Sequence, residues 1–543
     1  MRRVAGDKNK DRATAASSMG AGVADLACHD GMDVVDTHGF GVLMAERSCR
    51  LLELARWLAV ENSEPVALSG TLLAELLAQA SQVEDLLDVY GARDNRQWSR
   101  FRSLVAAIKL FAAFGDRLLH VQQVLRTGQL SRVGEEDCAA ATAAALRETR
   151  QVLVRAAVWI HQQAQRLNLP VLTHPAQRGA ALREALPAGR LPRDRPLRRV
   201  SGAAKTVTCL ATAYLSLAAE SDLLHRVAAI EPGEYTACIP DPVSEDSLRH
   251  LEMRFHSLQS LYDTHVAGTR IEDRNADLPI LRSHISLVLH LLETATLLAH
   301  YFERHLNTRT GDPSLRRKPV IHPTRLLDLL MRYSIAQARL YLNSGHGLCQ
   351  ALLRRYAEVV RIEAPVPAYR GFHVRPATLI ARVARHYGSE VRMELDGESY
   401  DASSPMDIFR ANEKINAWKR RWLVSAIGDF VLPADVLGAA QVRTLMLDIV
   451  FKLAEQGKIV IYQQPFQLPE ELGNEGLLLE QVTAGIKRLQ TTGQLDLHTD
   501  LRVIFIGDRR VLSDLRALAE SNYGEDRFGN NIALPRELAY LRR

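Results

Sequence analysis

The stretch Gly371-Phe372-His373-Val374-Arg375-Pro376-Ala377-Thr378 sits where a strand pattern gives way to a helix pattern. Pro376 marks the helix start, because its fixed ring angle suits a first turn and its missing N–H would have had no partner there. His373 therefore falls at or just before the amino end, where unpaired backbone N–H groups and the helix dipole favour an anion. Neutral imidazole is a nucleophile near pH 7, and a phosphoryl group on its nitrogen stays labile enough to be passed on. Arg375 follows closely and brings a planar guanidinium that can bind the same phosphate oxygens.

Working outward, Val359, Val360 and Ile362 read as a short strand ahead of Pro365 and Pro367, and 376–386 reads as a helix. A strand at 390–395, the hairpin turn Asp396-Gly397 and a returning strand at 398–401 complete an α+β module. Beyond it lie helical patterns near 405–427 and 440–456, a strand at 458–462, a helix near 475–491 and a strand at 502–506. The 522–543 stretch is Gly/Asn-rich and then short-helical.

Before the module, from about 45 to 355, apolar residues recur every three or four positions, the period of helices with one buried face. Phe101, Leu104, Val105, Ile108, Phe111, Ala112 and Leu118 share one stripe, and Gly128 is placed to end that helix in a left-handed cap. Similar patterns cover 47–60, 69–90, 137–167, 202–229, 244–264, 277–306 and 323–356, which predicts an all-α bundle or array. The 173–205 stretch, with four prolines and the basic run Arg190, Arg193, Arg195, Arg198 and Arg199, reads as a solvated loop. Its rival reading is a patch for an acidic or phosphorylated partner. The same pair of readings applies to 307–323, with Arg316, Arg317 and Lys318.

A chain of 543 residues is too long for one core. Its 47% hydrophobic and 24% charged content is globular and excludes wholesale disorder. With 68 Lys+Arg against 63 Asp+Glu, the +5 balance predicts no nucleic-acid partner. The six cysteines are scattered without a C-x-x-C pair, which suits a reducing cytoplasm. The apolar 285–302 stretch carries Ser286, His290, Glu293 and His300, so it reads as a buried helix and no membrane insertion is expected. His284, His290, Glu293, His300, Glu303 and His305 share one helix but lack paired Glu-x-x-His motifs, so no metal is expected. No Walker loop, G-x-G-x-x-G or G-x-S-x-G is present, and no cofactor is expected.

The 371–378 segment resembles the active-site motif of HPr, the histidine phosphocarrier of the phosphoenolpyruvate-dependent sugar phosphotransferase system. The similarity continues through Ala377-Thr378, Tyr387, Glu390-Val391, Leu395, Asp396-Gly397 and Ser403-Ser404-Pro405-Met406. The resemblance implies that His373 accepts the phosphoryl group and Arg375 binds it, while Ser404 matches the serine that a regulatory kinase modifies in some HPr proteins. Ser403 stands where the family has lysine and Pro405 where it has an apolar residue, and Ser404 also reads as the N-cap of the following helix. Met406 and Phe409 read either as an exposed partner-docking patch or as an inner helix face.

The expected organisation is multi-domain: a flexible tail at 1–45, an all-α helical domain at 46–356, and an HPr-like α+β domain at 357–492. That domain is expected to have an antiparallel sheet with helices on one face, an insertion around 407–456, and a C-terminal α/β extension at 493–543. The expected function is a cytoplasmic phosphocarrier or regulatory protein, loaded by enzyme I or another phosphocarrier and signalling through its helical domain. Two rivals stand beside it: a docking module without phosphotransfer, and an enzyme whose active site lies among the helices.

Overall fold

A computed structural model of the protein describes residues 34–60, 68–128, 130, 135–169, 196–198, 203–227, 230–306, 318–433, 438–462 and 477–542. The amino-terminal region comprises α1 (Thr37–Val60), α2 (Gly70–Val89), α3 (Ser99–Thr127), α4 (Glu135–Arg166), α5 (Ala203–Glu220), α6 (Asp222–Val227), α7 (Glu245–His265), α8 (Arg270–Arg274), α9 (Asp277–Tyr301), α10 (Pro323–Asp328) and α11 (Ala336–Arg355). The α3 stripe from Phe101 to Leu118 is buried as its spacing predicts, and it faces α2, α4 and α9. By length and composition α9 could cross a membrane. Here it lies among α3, α7 and α11, and its buried Thr294 hydroxyl donates to Leu291 O (2.6 Å) and lies 2.9 Å from the Ser334 hydroxyl.

Three local expectations change. Helix α1 starts at Thr37, inside the stretch read as tail, because Phe40 and Met44 are buried and Phe40 sets its ring against Trp98 at 4.9 Å. Gly128 is extended (φ −74°, ψ 146°), not left-handed. Its missing side chain serves close approach, since a Cβ would lie 2.4 Å from Val124 O. The single helix expected over 323–356 is α10 and α11 joined by a π-helical turn, Leu329–Ile335. Residues 1–33, Arg190, Arg193, Arg195, Arg199, Arg316 and Arg317 lie outside the described residues. Arg198 does not face a free partner, because its guanidinium donates to Ala267 O at 2.7 Å.

The second region runs β1 (Val359–Pro365), α12 (Val374–Tyr387), β2 (Val391–Leu395), β3 (Glu398–Asp401), α13 (Pro405–Gly428), α14 (Ala439–Glu455), β4 (Ile459–Ile461), α15 (Leu478–Thr491), β5 (Leu495–Leu497), β6 (Arg502–Asp508) and α16 (Arg509–Glu520). Its four-stranded sheet has the order β1-β6-β2-β3, antiparallel throughout. Alternation buries Val503 and Phe505 of β6 on the face that carries the helices, where α16 packs on β1 and β6 and α12 packs on α13 and α16.

This topology moves the expected boundaries. Strand β6 and helix α16, read as part of a separate extension at 493–543, are a central strand and a packing helix of the four-stranded sheet. The β4 strand pairs instead with β5 in a sheet of its own. The inserted body begins within α13 and ends after β5, later than 407–456, with a separate core that includes Leu423, Met446, Ile449, Ile486 and Leu489. Inside it the buried Lys419 ammonium donates to Asp496 Oδ2 at 2.6 Å and ties α13 to β5. Both β4 and β6 are short apolar runs, so their local patterns do not distinguish them as sheet partners.

The helical region grips the α+β domain at the carboxy end of α12. Gln350 Nε2, on α11, donates to Arg385 O (2.8 Å) and His386 O (3.2 Å), and Arg354 donates to Gly388 O (3.0 Å). These bonds satisfy carbonyls that the helix end leaves without intrahelical partners.

Candidate functional site

Helix α12 starts where the chain turns at Gly371, whose φ of +64° is left-handed. A Cβ there would lie 2.3 Å from Asn412 Oδ1, so glycine is required twice over. Asn412, buried on α13, accepts the Phe372 N–H at 2.9 Å and donates to Arg370 O at 3.3 Å. That pair of bonds holds the turn while Phe372 packs edge-on against Tyr523 at 5.6 Å.

His373 is the N-cap of α12 (φ −70°, ψ −168°), and no side chain caps that end. The first-turn N–H groups therefore remain for an anion. The imidazole is 24% exposed. Its Nδ1 lies 3.1 Å from Gly371 O and its Nε2 3.2 Å from Glu525 Oε2. Each ring nitrogen thus faces an acceptor, so a neutral ring satisfies one and keeps a free lone pair on the other. Arg375 Nε stands 3.8 Å from the other oxygen, Glu525 Oε1. Tyr369 closes one side, edge-on at 5.3 Å.

The inserted body buttresses the same loop. Arg370 donates to Gly493 O at 3.0 Å, Tyr462 packs against Tyr369 at 4.8 Å, and the Tyr462 hydroxyl reaches Ala368 O at 3.4 Å. On the other side, Asn522, Tyr523 and Gly524 are left-handed in succession, and the Tyr523 hydroxyl donates to Pro365 O at 2.8 Å. This run carries the chain from the end of α16 back over the amino end of α12.

Of the residues singled out from sequence, His373 and Arg375 come together around one carboxylate. Ser404 Oγ accepts the Asp407 N–H at 3.3 Å and caps α13. Met406 is exposed, at 64%, whereas Phe409 packs against the core, so the two do not form one exposed patch. On α9 the histidines pair singly, His290 with Glu293 at 2.8 Å and His300 with Glu245 at 2.9 Å. Among the described residues no three His, Cys, Asp or Glu side chains converge as a metal site would require. Glu525, Asn412, Tyr369 and Arg370 were not anticipated. Asn412 had a signal, a polar residue in the apolar register of α13; Glu525 had none.

Comparison with known proteins agrees with this geometry. A family profile described as "PTS HPr component phosphorylation site" matches residues 360–414. Phosphocarrier protein HPr of Borreliella burgdorferi is 34% identical over 71 residues, 13% of this chain and 79% of that protein. No solved structure matches the chain. The chain belongs to the HPr family. It is an HPr domain fused to a larger helical region, and that domain points to a phosphocarrier role in the phosphotransferase system.

Proposed function

We propose that His373 accepts a phosphoryl group from enzyme I or from another carrier of the phosphotransferase system, and that Arg375 holds the transferred phosphate. The observation that carries this reading is the partly exposed imidazole at the uncapped amino end of α12, with a guanidinium facing the same point. A neutral imidazole nitrogen attacks phosphorus, and the donor's nitrogen–phosphorus bond breaks as the new one forms. The donor imidazole leaves with its electron pair. The two negative charges gained are favoured by the helix dipole and by Arg375.

We place the action in the cytoplasm and the output in the helical region. Support comes from the other end of the same helix, where Gln350 and Arg354 hold the carbonyls of Arg385, His386 and Gly388. A charge added at the amino end of α12 acts on an element that the helical region grips directly. Partner docking is assigned to exposed Met406 on the first turn of α13, one helical turn before Phe409, which packs against the core. Ser404 phosphorylation would remove a capping hydroxyl and add charge at the amino end of α13.

Incubation with phosphoenolpyruvate, enzyme I and a small carrier is expected to give an acid-labile, base-stable phosphoprotein that His373→Ala abolishes. Absence of label with the cognate proteins overturns the reading.

A further inference from the structure

We infer that Glu525 is a resident anion of the phosphoryl site: its carboxylate occupies the place of the incoming phosphate, and phosphorylation of His373 expels it together with the turn that carries it. This inference rests on the proposed phosphorylation of His373 and concerns how that site is regulated.

Three observations support it. Glu525 is 5% exposed, a position a carboxylate seldom takes without firm partners. Its two oxygens are divided between the two groups assigned to the phosphate, Oε2 at 3.2 Å from His373 Nε2 and Oε1 at 3.8 Å from Arg375 Nε. Neither contact is aligned as a hydrogen bond, and both Glu525 Oε2 and Arg375 Nε are buried without one. The carboxylate is therefore near enough for charge attraction yet not locked, an arrangement suited to release. A phosphoryl group on the ring would set roughly two negative charges beside that third one, in a site with little water to screen them.

The backbone supports the same reading. Glu525 follows the left-handed run Asn522 (φ 47°), Tyr523 (φ 57°) and Gly524 (φ 78°). Two non-glycine residues in that region are sterically disfavoured and persist only where surroundings hold them. Tyr523 is anchored by its hydroxyl on Pro365 O, whereas the residues after it are held locally, with Asn522 Nδ2 donating to Glu525 O at 2.7 Å and Ile532 N to Gly524 O at 3.0 Å. Asp526 N donates to Asn530 O at 2.9 Å and closes the turn. Once the carboxylate leaves, the part of the turn beyond the Tyr523 anchor loses its charged contact with His373 and Arg375.

Phosphoramidate, a chemical donor that needs no enzyme, tests this on the full chain. The His373 nitrogen attacks phosphorus, the donor's phosphorus–nitrogen bond breaks and ammonia leaves. Glu525→Gln, which keeps the shape and removes the charge, is expected to label at His373 at least about fivefold faster than wild type, the low end of ordinary coupling between sites. Equal or slower labelling overturns the inference, as does failure of either protein to label at His373. Hydrogen exchange on the wild type is the second measurement and depends on no variant. The Asp526 and Ile532 amides are expected to lose protection after phosphorylation, and unchanged protection overturns displacement. Wild type that labels with phosphoramidate but not through enzyme I refutes the carrier reading alone.

Discussion

Asn412 accepts the Phe372 amide hydrogen at 2.9 Å, one residue before His373. A single buried side chain of α13 thereby fixes the backbone from which His373 projects. Asn412→Ala leaves that N–H and the Arg370 carbonyl without partners, at an expected loss of about 1–3 kcal/mol. Urea unfolding measures the loss, and labelling of His373 should slow in parallel. Unchanged labelling would show that the turn holds itself.

Arg375 offers a separate test of the site. Arg375→Ala should slow phosphoryl acceptance about tenfold or more while leaving the melting temperature nearly unchanged, since its Nε lies 3.8 Å from Glu525 Oε1 and makes no hydrogen bond there. Arg375→Lys should restore only part of the rate, because an ammonium cannot bind two phosphate oxygens in one plane. Full rescue by lysine would reduce the role of Arg375 to charge alone.

The grip of α11 on α12 is measurable with two glycines. Gly397 has φ +78° with open space around its Cβ position, whereas Gly388 has φ +60° and a Cβ would lie 2.7 Å from Gln350 Cδ. Gly397→Ala should lose about 1 kcal/mol from backbone strain alone. Gly388→Ala should lose a further 1–3 kcal/mol or so, as overpacking displaces Gln350. Equal losses in chemical denaturation would show that the interface gives way freely.

Burial, with a smaller contribution from His346, pushes the His386 imidazole down to about 4, where its ring stacks on Tyr540 at 4.0 Å. An unfolded histidine titrates near 6.5. Between those values the unfolded chain binds a proton that the folded one refuses, so stability is full above about pH 6.5 and is lost as the pH falls toward 4. Allowing for solvent around a half-buried ring, the loss is about 2 kcal/mol. His386→Gln should flatten that part of the pH–stability curve relative to wild type, and an unchanged slope would assign it elsewhere.

Lys419 and Asp496 form a desolvated ion pair inside the inserted body. Lys419→Met strands a buried carboxylate and should destabilise by about 3–5 kcal/mol, while Lys419→Met with Asp496→Leu should recover most of it. A single-variant loss below about 1 kcal/mol would mean that water reaches the pair.

What could be read from sequence was local. The stripe of α3 repeats at its own helical period, and the 371–378 motif carries nucleophile, guanidinium and helix start within a few residues. Pairing across distance was not legible. Strands β4 and β6 are both short and apolar, and only the assembled sheet shows that β6 lies between β1 and β2 while β4 pairs with β5. Glu525 is one acid among 63 acidic residues, with no spacing that ties it to His373. It is the three left-handed residues after α16 that aim it there, and two of those are not glycine.

The central place of β6 bears on when this molecule becomes competent. A ribosome delivers β1, the 371–378 motif and the β2–β3 hairpin first, but these have no platform until synthesis has passed Asp508. The intervening body must emerge before the two halves can meet, and unpaired strand edges wait meanwhile as hazards for aggregation. Nascent chains and fragments ending before Asp508 therefore lack the strand that joins β1 to the β2–β3 hairpin, and His373 has no completed sheet behind it.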